Sequence, residues 1–391
     1  MEATKIKDGV YWVGAIDWDL RLFHGYSTPH GSTYNAYLIL DEKVTLIDNV
    51  KEKFTDELVS RISSIIDPSK IEVIISNHGE PDHSGSLPSL LKLAPKAKVY
   101  SAFPNGVKIL NAHYGELPIV PVKNGDTISI GKRTLKFLHA PMVHWPDNMV
   151  TYCPEDKILY SNDIFGQHLA TSKRLDSEND LDLTLKEAKK YYANIVLPYT
   201  NQAHKISDVV KTLDIEVIAN SHGVIWQKHL PEIIKLYEEI ITYKKKEKAV
   251  VVYDSMWGNT EVMAKTITEA FRKANVEVFH TSINLTQESD IITELMDAKY
   301  IAVGSSTLNN NMLPPIASFL CYMKGLAPTG LKYLAFGSYG WGGQSIGLIE
   351  KEFEEMKLKP LMPSVRMLYK PKPEDLEKLK DNIIQAVQEQ V

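Results

Sequence analysis

The sequence predicts an α/β protein in two parts, an N-terminal αββα sandwich and a C-terminal doubly wound parallel sheet. Two patterns and one break predict it. The first part is rich in strands, with hairpins toward both ends and helices between. The last part alternates strand and helix throughout, the pattern of a parallel sheet. Between them, ITYKKKEKAVVVYDS (241–255) passes abruptly from a basic run to a strand of the kind buried on both faces. We read KKKEK as a helix end plus a short linker and place the domains at 1–247 and 248–391. At 391 residues the chain is long enough for two cores.

In the first part, VYWVGAI, STYNAYLILD and KVTLIDNV read as strands. The helix FTDELVSRISSII leads into the apolar strand IEVIIS, and the helix SLPSLLKLA follows. KVYSA, TLKFLHAP, NMVTYCPEDKILYSND and, past a helical stretch, IEVIANSHG complete the strands. In the second part AVVVYDS is a strand and TEVMAKTITEAFRKA a helix. VEVFHTSI, a helix ending near Met296, the strand KYIAVGSST and a helix around PPIASFLCYMKGL come next. LKYLAFGSYGWGG, another helix and a final helix from Pro373 close the chain.

Bulk properties exclude several function classes. A formal net charge of −5, with no Lys/Arg stripe interleaved with aromatics, argues against nucleic acid. No apolar run approaches a membrane span, and the charged, interrupted N-terminus is not a signal peptide. Two distant cysteines, Cys153 and Cys321, make no disulfide framework and fit a reduced, cytoplasmic setting. They also cannot build a four-thiolate iron site.

SNHGEPDHSGS (76–86) packs two histidines and two acids into six positions, directly after the strand IEVIIS. Ligands of α/β proteins collect at the carboxyl ends of strands. In an extended loop alternate side chains share a side, so His78, Glu80 and Asp82 can face one cavity with His83 beside them. The same context recurs: His144 follows TLKFLHAP, Asp163 ends KILYSND, and His222 ends IEVIANSHG. Each is unremarkable alone. Together they give four histidines and three acids, the inventory of a dinuclear metal site.

H-x-E-x-D-H at 78–83 with a later His, Asp and His resembles the metallo-β-lactamase superfamily. Where that superfamily usually has a second histidine, this chain has Glu80. That exchange, with STPHGSTYNAYLI, HWPDNMVTY, SNDIFGQH and KYYANIVLP, resembles the flavodiiron proteins along essentially the whole chain. The resemblance implies a metallo-β-lactamase-like first domain with one iron on His78, Glu80 and His144. It puts a second on Asp82, His83 and His222, with Asp163 bridging. Two ferrous ions, three carboxylates and a hydroxide then balance in charge, so a neutral diatomic binds without burying a large net charge.

In the second domain YDSMWGNTEVMAK (253–265) lies between a buried strand and a helix and lacks the GK[ST] of a Walker loop. Ser255, Asn259 and Thr260 with helix N-terminal amides suit a terminal phosphate. The segment Ser255, Met256, Trp257, Gly258, Asn259, Thr260 resembles the flavodoxin phosphate loop, with Trp257 in place of its middle threonine. GSSTLNNNMLP (304–314), with Thr307, Leu308, Asn309 and Asn310, follows a later strand at the same sheet edge. So does FGSYGWGGQ (337–345), with Ser338, Tyr339, Gly340, Trp341, Gly342 and Gly343. The aromatics offer flat faces and the glycines let backbone approach. The resemblance implies a flavodoxin-like domain binding FMN rather than FAD.

The implied function is reduction of O2 to water, with NO reduction to N2O as the alternative. Four electrons are needed for O2, and two ferrous ions and one reduced FMN supply them. Tyr191, Tyr192 and His24 are candidates for hydrogen bonds or protons near the metals, against an equally good reading as packing residues. The rival class is a zinc-dependent hydrolase of the β-lactamase superfamily with a flavodoxin-like module, against which Glu80 speaks. Electrons must come from outside, from rubredoxin or reduced coenzyme F420. The resemblance further implies a head-to-tail homodimer, or a tetramer built from it, in which FMN of one subunit faces the metals of the other.

Overall fold

The computed structural model describes residues 1–389. It divides into two compact units, one of Met1–His24 with Thr28–Ile241 and one of Gly25–Ser27 with the chain from Thr242 onward. The first unit is built on two sheets. In the seven-stranded sheet Thr4–Lys7, Val10–Trp12, Tyr37–Ile39 and Val44–Ile47 pair antiparallel. Ile71–Ser76, Lys98–Ala102 and Ile119–Val122 then continue it in parallel. The five-stranded sheet runs Thr127–Ser129, Thr134–His139, Met149–Cys153, Ile158–Asn162 and Val217–Asn220, the last pair parallel.

The sheets share one core, in which Trp12, Tyr37 and Ile75 meet Phe137, Met149 and Tyr160. The outer face of the larger sheet carries a second cluster, where Leu46, Ile74 and Val99 pack on helix residues Leu58, Ile62, Leu87, Leu90 and Leu110. Leu58 and Ile62 stand four apart on the helix Thr55–Ser63 and so share its buried face. Helices outside and sheets face to face give the αββα sandwich. Ile119–Val122 and Thr127–Ser129 are strands without a strong sequence signal, being short and half-exposed, with Pro121 inside one.

The second unit is a parallel sheet in the order Glu277–Ser282, Lys246–Asp254, Ala298–Ser305, Lys332–Tyr339. Val365–Leu368 pairs beside Tyr339, and Lys359–Pro360 lies beyond Lys332. The chain places its second strand on one side of the first and its third on the other, so the strand order switches between the first and third strands. The carboxyl ends Asp254 and Ser305 therefore flank the crevice where doubly wound sheets bind ligands. The first strand begins at Lys246, inside the basic run read from sequence as linker. Lys248 is buried there because its ammonium meets Asp297 at 3.1 Å and Glu294 at 2.5 Å. Paired charges let the strand extend where composition alone signalled a break.

Candidate functional site

Three strands of the first unit end at one place. Ile71–Ser76 delivers His78 and Glu80 on an extended segment and then Asp82 and His83 on the short helix Pro81–Ser84. The alternation expected of an extended loop therefore stops at Glu80, and Asp82 turns toward His222 instead. Ile158–Asn162 delivers Asp163, and Val217–Asn220 delivers His222. The strands are almost wholly buried, so the loops leaving them start from fixed points. His144 comes from the loop after Thr134–His139. All seven side chains are buried or nearly so.

Their atoms form two groups that share Asp163. Oδ2 of Asp163 lies 3.3 Å from Nε2 of His144 and 3.7 Å from that of His78. Oδ1 lies 3.0 Å from Nε2 of His83 and 3.4 Å from that of His222. Glu80 closes the first group, its Oε2 3.1 Å from His78 and 3.3 Å from His144. Asp82 closes the second, its Oδ2 3.4 Å from both His83 and His222. Each group thus gathers two imidazole nitrogens and two carboxylate oxygens around one point.

Two of the outward nitrogens, those of His78 and His222, are held too. Nδ1 of His78 meets Asp147 at 3.1 Å, and that carboxylate also accepts from the amide of Gly79 at 2.6 Å. Nδ1 of His222 donates to the carbonyl of Thr33 at 2.8 Å. Such contacts fix the tautomer so that Nε2 faces inward with its lone pair, as metal-binding histidines require. Asp147 was not among the sequence candidates, although it stands in HWPDNMVTY; one acid distant in sequence gave no spacing to read.

Electrostatics call for cations at this place. Burial pushes His144 and His222 down, but Asp163 with Glu80 raises His144 to about 9, and Asp163 with Asp82 raises His222 to about 10. Burial also resists charge on Asp163, yet the surrounding histidines hold it well below the ordinary carboxylate range. Oδ1 of Asp82 and Nδ1 of His83 are buried without a hydrogen-bond partner among the described residues. Three buried carboxylates here need positive charge, from protons on histidine or from metal.

Of the three further candidates, two reach the cluster. His24, about half exposed, places Nε2 3.1 Å from Oε1 of Glu80 and stacks on Phe23 at 4.0 Å. Tyr191 is buried with its ring 5.7 Å from His222 and 5.1 Å from His168. Burial, then the charges of Asp163 and Asp82, push its phenol well above the ordinary value, so it stays protonated. Tyr192 points elsewhere, packing on Tyr237 at 5.3 Å and donating to Oγ1 of Thr200 at 3.2 Å. His168, absent from the sequence candidates, lies 4.8 Å from the His222 ring and bonds Ser32 through Nδ1 at 2.7 Å.

The second unit carries a cavity of about 490 Å³ at its sheet's carboxyl edge, within the size range of small-molecule sites. Met256, Trp257, Asn259, Thr307, Asn309, Asn310, Ser338, Tyr339, Gly340, Trp341 and Gly342 line it. Ser255, Gly258, Thr260, Leu308 and Gly343 stand around it rather than on its wall. Thr260 ties three loops, its Oγ1 3.1 Å from Oγ of Ser306 and accepting from the Ser338 amide at 3.3 Å. Gly258, at φ +79°, turns the chain into the helix Asn259–Lys273, and beside it Oγ of Ser255 is buried without a partner among the described residues. Asn309 and Asn310 sit in the left-handed region at the tip of a small hairpin, a conformation asparagine tolerates. Ser306, Gln344 and Tyr369 also line the cavity. Tyr369 follows a four-residue strand too short to announce itself in sequence.

Residues 33–223 match the model of the ODP family beta lactamase, and residues 251–382 that of flavodoxin. The chain is 40% identical to the rubredoxin-oxygen oxidoreductase of Megalodesulfovibrio gigas, over 97% of this chain and 96% of that one. It is 42% identical to the nitric oxide reductase of Moorella thermoacetica, over 96% of each. The crystal structure of the flavodiiron protein from Giardia intestinalis superposes with a TM-score of 0.96 at 35% identity, covering 99% of this chain and 96% of that one. The chain belongs to the flavodiiron protein family. The structure of rubredoxin oxygen:oxidoreductase from Desulfovibrio gigas is similarly close, with a TM-score of 0.96 at 39% identity and 99% coverage of both.

As a flavodiiron oxidoreductase the chain takes FMN and a diiron centre. Its residues fit both. The shared carboxylate with two imidazoles on each side matches a pair of iron ions, and mixed imidazole and carboxylate donors suit iron. The orphaned Ser255 hydroxyl and the helix start at Asn259 suit a phosphate. No helix among the described residues is long and apolar enough to cross a membrane.

Proposed function

We propose that this flavodiiron protein reduces O2 to water, consuming four electrons and four protons per O2, at the centre around Asp163. The arrangement of Asp163, one oxygen toward each pair of histidines, carries this reading. On it, His78, Glu80 and His144 would hold one iron and Asp82, His83 and His222 the other, with Asp163 between the two groups. When bound, the irons would supply one-electron chemistry toward a neutral diatomic, and FMN would supply the electrons taken from the donor. His24 relays protons between solvent and Oε1 of Glu80, and its partial exposure and 3.1 Å contact support that role. Tyr191 and the ring of His168 wall the side of His222 and keep bulk water out.

A second reading, reduction of two NO to N2O with two electrons and two protons, is favoured by the nitric oxide reductase of Moorella thermoacetica at 42% identity. The name of the Megalodesulfovibrio relative favours rubredoxin over reduced F420 as electron donor. Trp257 and Trp341, 87% and 94% exposed at the flavin cavity, support pairing with a second copy of the chain. Two free cysteines support a cytoplasmic setting. The test is gas consumption by protein loaded with iron and FMN, with reduced rubredoxin and reduced F420 as separate donors. Oxygen uptake yielding water rather than peroxide is expected. NO consumption without oxygen uptake would transfer the assignment to the second reading, and consumption of neither would overturn both.

A further inference from the structure

A cavity of about 230 Å³ opens between the helices Thr200–Val210 and Leu230–Ile241 of the first unit. Val210, Leu213, Ile215 and Ile234 line it with Phe165 and Tyr237, and Ser207 and Lys211 complete the lining. Phe165 and Tyr237 are each 3% exposed, so they form its inner end, while Leu213 and Ile234 are half-buried nearer the surface. Its inner end, at Phe165, Val210 and Tyr237, gives water few partners and suits a small apolar guest; an apolar cavity of roughly 150 Å³ is known to stay dry and take up xenon.

The inner end belongs to the loop of the metal centre. Phe165 is two residues beyond Asp163, the carboxylate shared by both ligand groups. It holds φ +68°, a conformation in which a bulky side chain is an outlier. Two contacts from outside the loop enforce it. The Phe165 amide donates to the Tyr237 hydroxyl at 2.7 Å, and the Trp226 indole donates to the Phe165 carbonyl at 2.9 Å. The rings of Phe165 and Tyr237 then pack at 4.4 Å. The Gly166 amide donates back to the Asp163 carbonyl at 3.0 Å. A strained residue, clamped twice, turns the back of the Asp163 loop into the floor of an apolar pocket.

We propose that this pocket is a docking site for the neutral diatomic substrate, which passes from it along Phe165 to the centre. The inference rests on the gas-reducing function proposed above. Water solvates O2 and NO weakly, so apolar surface concentrates them. The pocket has the lining for such a guest, and its floor is continuous with the loop that carries Asp163.

Crystals of the iron- and FMN-loaded protein under xenon pressure, together with Leu213→Trp and Ser207→Trp, test it. Both substituted positions are half-buried at the rim, so either variant can fold if the other does not. Wild type is expected to show xenon against Phe165 and Val210. The tryptophan variants should lose that xenon and raise KM for the gas about threefold or more, with kcat at saturating gas and iron content unchanged. No xenon in the pocket of an active wild type would overturn the docking site while leaving the function intact. So would a filled pocket with unchanged KM. A wild type that takes up xenon yet consumes neither gas would overturn the functional reading and, with it, the role given to the pocket.

Discussion

Asp163→Asn is the sharpest test of a shared carboxylate. Each Asp163 oxygen faces two imidazole nitrogens, at 3.3 and 3.7 Å on one side and 3.0 and 3.4 Å on the other. Asparagine is isosteric but keeps one acceptor oxygen and places an NH2 where the other stood. However the amide turns, one pair of histidines faces a donor, and the opposite pair keeps an oxygen without its charge. Loss of an outer contact such as that of Asp147 to His78 typically costs about 10–100-fold in metal affinity. A direct, charged ligand is worth at least the upper end. We therefore expect about 100-fold or more weaker binding at one position and about 10-fold at the other, roughly 2.7 and 1.4 kcal/mol. The assay is iron retained per chain against a graded ferrous chelator after anaerobic reconstitution, with the visible spectrum of FMN as control. Asp147→Asn serves as comparison and should weaken only the position served by His78. An Asp163→Asn protein that holds two irons with wild-type resistance to chelator would remove Asp163 from the ligand set.

Three further outcomes are expected. In metal-free protein His144 and His222 stand near 9 and 10, above their ordinary value of about 6.5, so their contribution to stability is complete below about pH 6.5 and lost as pH rises through 9 to 10. Thermal melts of chelator-stripped protein should fall in Tm across that window, and a flat profile would contradict the charge assignment. Thr260→Val removes the hydroxyl that ties Ser306 and Ser338, leaving their groups short of a partner at about 1–3 kcal/mol; FMN affinity should drop with iron content untouched, and unchanged flavin titration would count against it. His24→Gln should slow turnover and shift its pH profile while both irons stay bound, whereas an unaltered pH profile would leave His24 a packing residue.

What was legible in the sequence depended on how locally the structure is encoded. The candidate ligands His78, Glu80, Asp82 and His83 lie within six consecutive positions after one strand, and Asp163 and His222 each follow a strand that reads clearly as apolar. The loops that line the second unit's cavity were legible for the same reason, since each follows a long buried strand. Contacts made by residues remote in sequence were not. Asp147 reaches His78 across 69 positions, and the carbonyl of Thr33 reaches His222 across 189. A backbone carbonyl carries no residue signal at all. Tyr191 and Tyr192 were equal as neighbours in sequence, and only the helix ending at Tyr191 decides which ring turns to His222. The start of the second unit's first strand was misplaced because two lysines read as linker until Asp297 and Glu294 supply their partners.

Glu80 links the fold to the chemistry. A histidine at its place would leave three imidazoles and one carboxylate oxygen around the first metal position. The pair of divalent ions would then be offset by two carboxylates instead of three, and the bare centre would carry one more positive charge. Such a centre favours an anionic substrate and a bound hydroxide nucleophile, as in hydrolysis. Glu80 removes that excess. With Asp82 and Asp163 it brings the two groups to matching sets of two imidazole nitrogens and two carboxylate oxygens. Hard carboxylate donors stabilise the higher oxidation state of iron and leave little net charge to attract an anion. The position is also tied to solvent, because Oε1 of Glu80 meets the half-exposed His24 while Oε2 faces the histidines. On the proposed function, one carboxylate thus lowers the net charge, matches the two groups and offers its outward oxygen to His24 for proton entry. A neutral diatomic that takes up electrons and protons together needs all three.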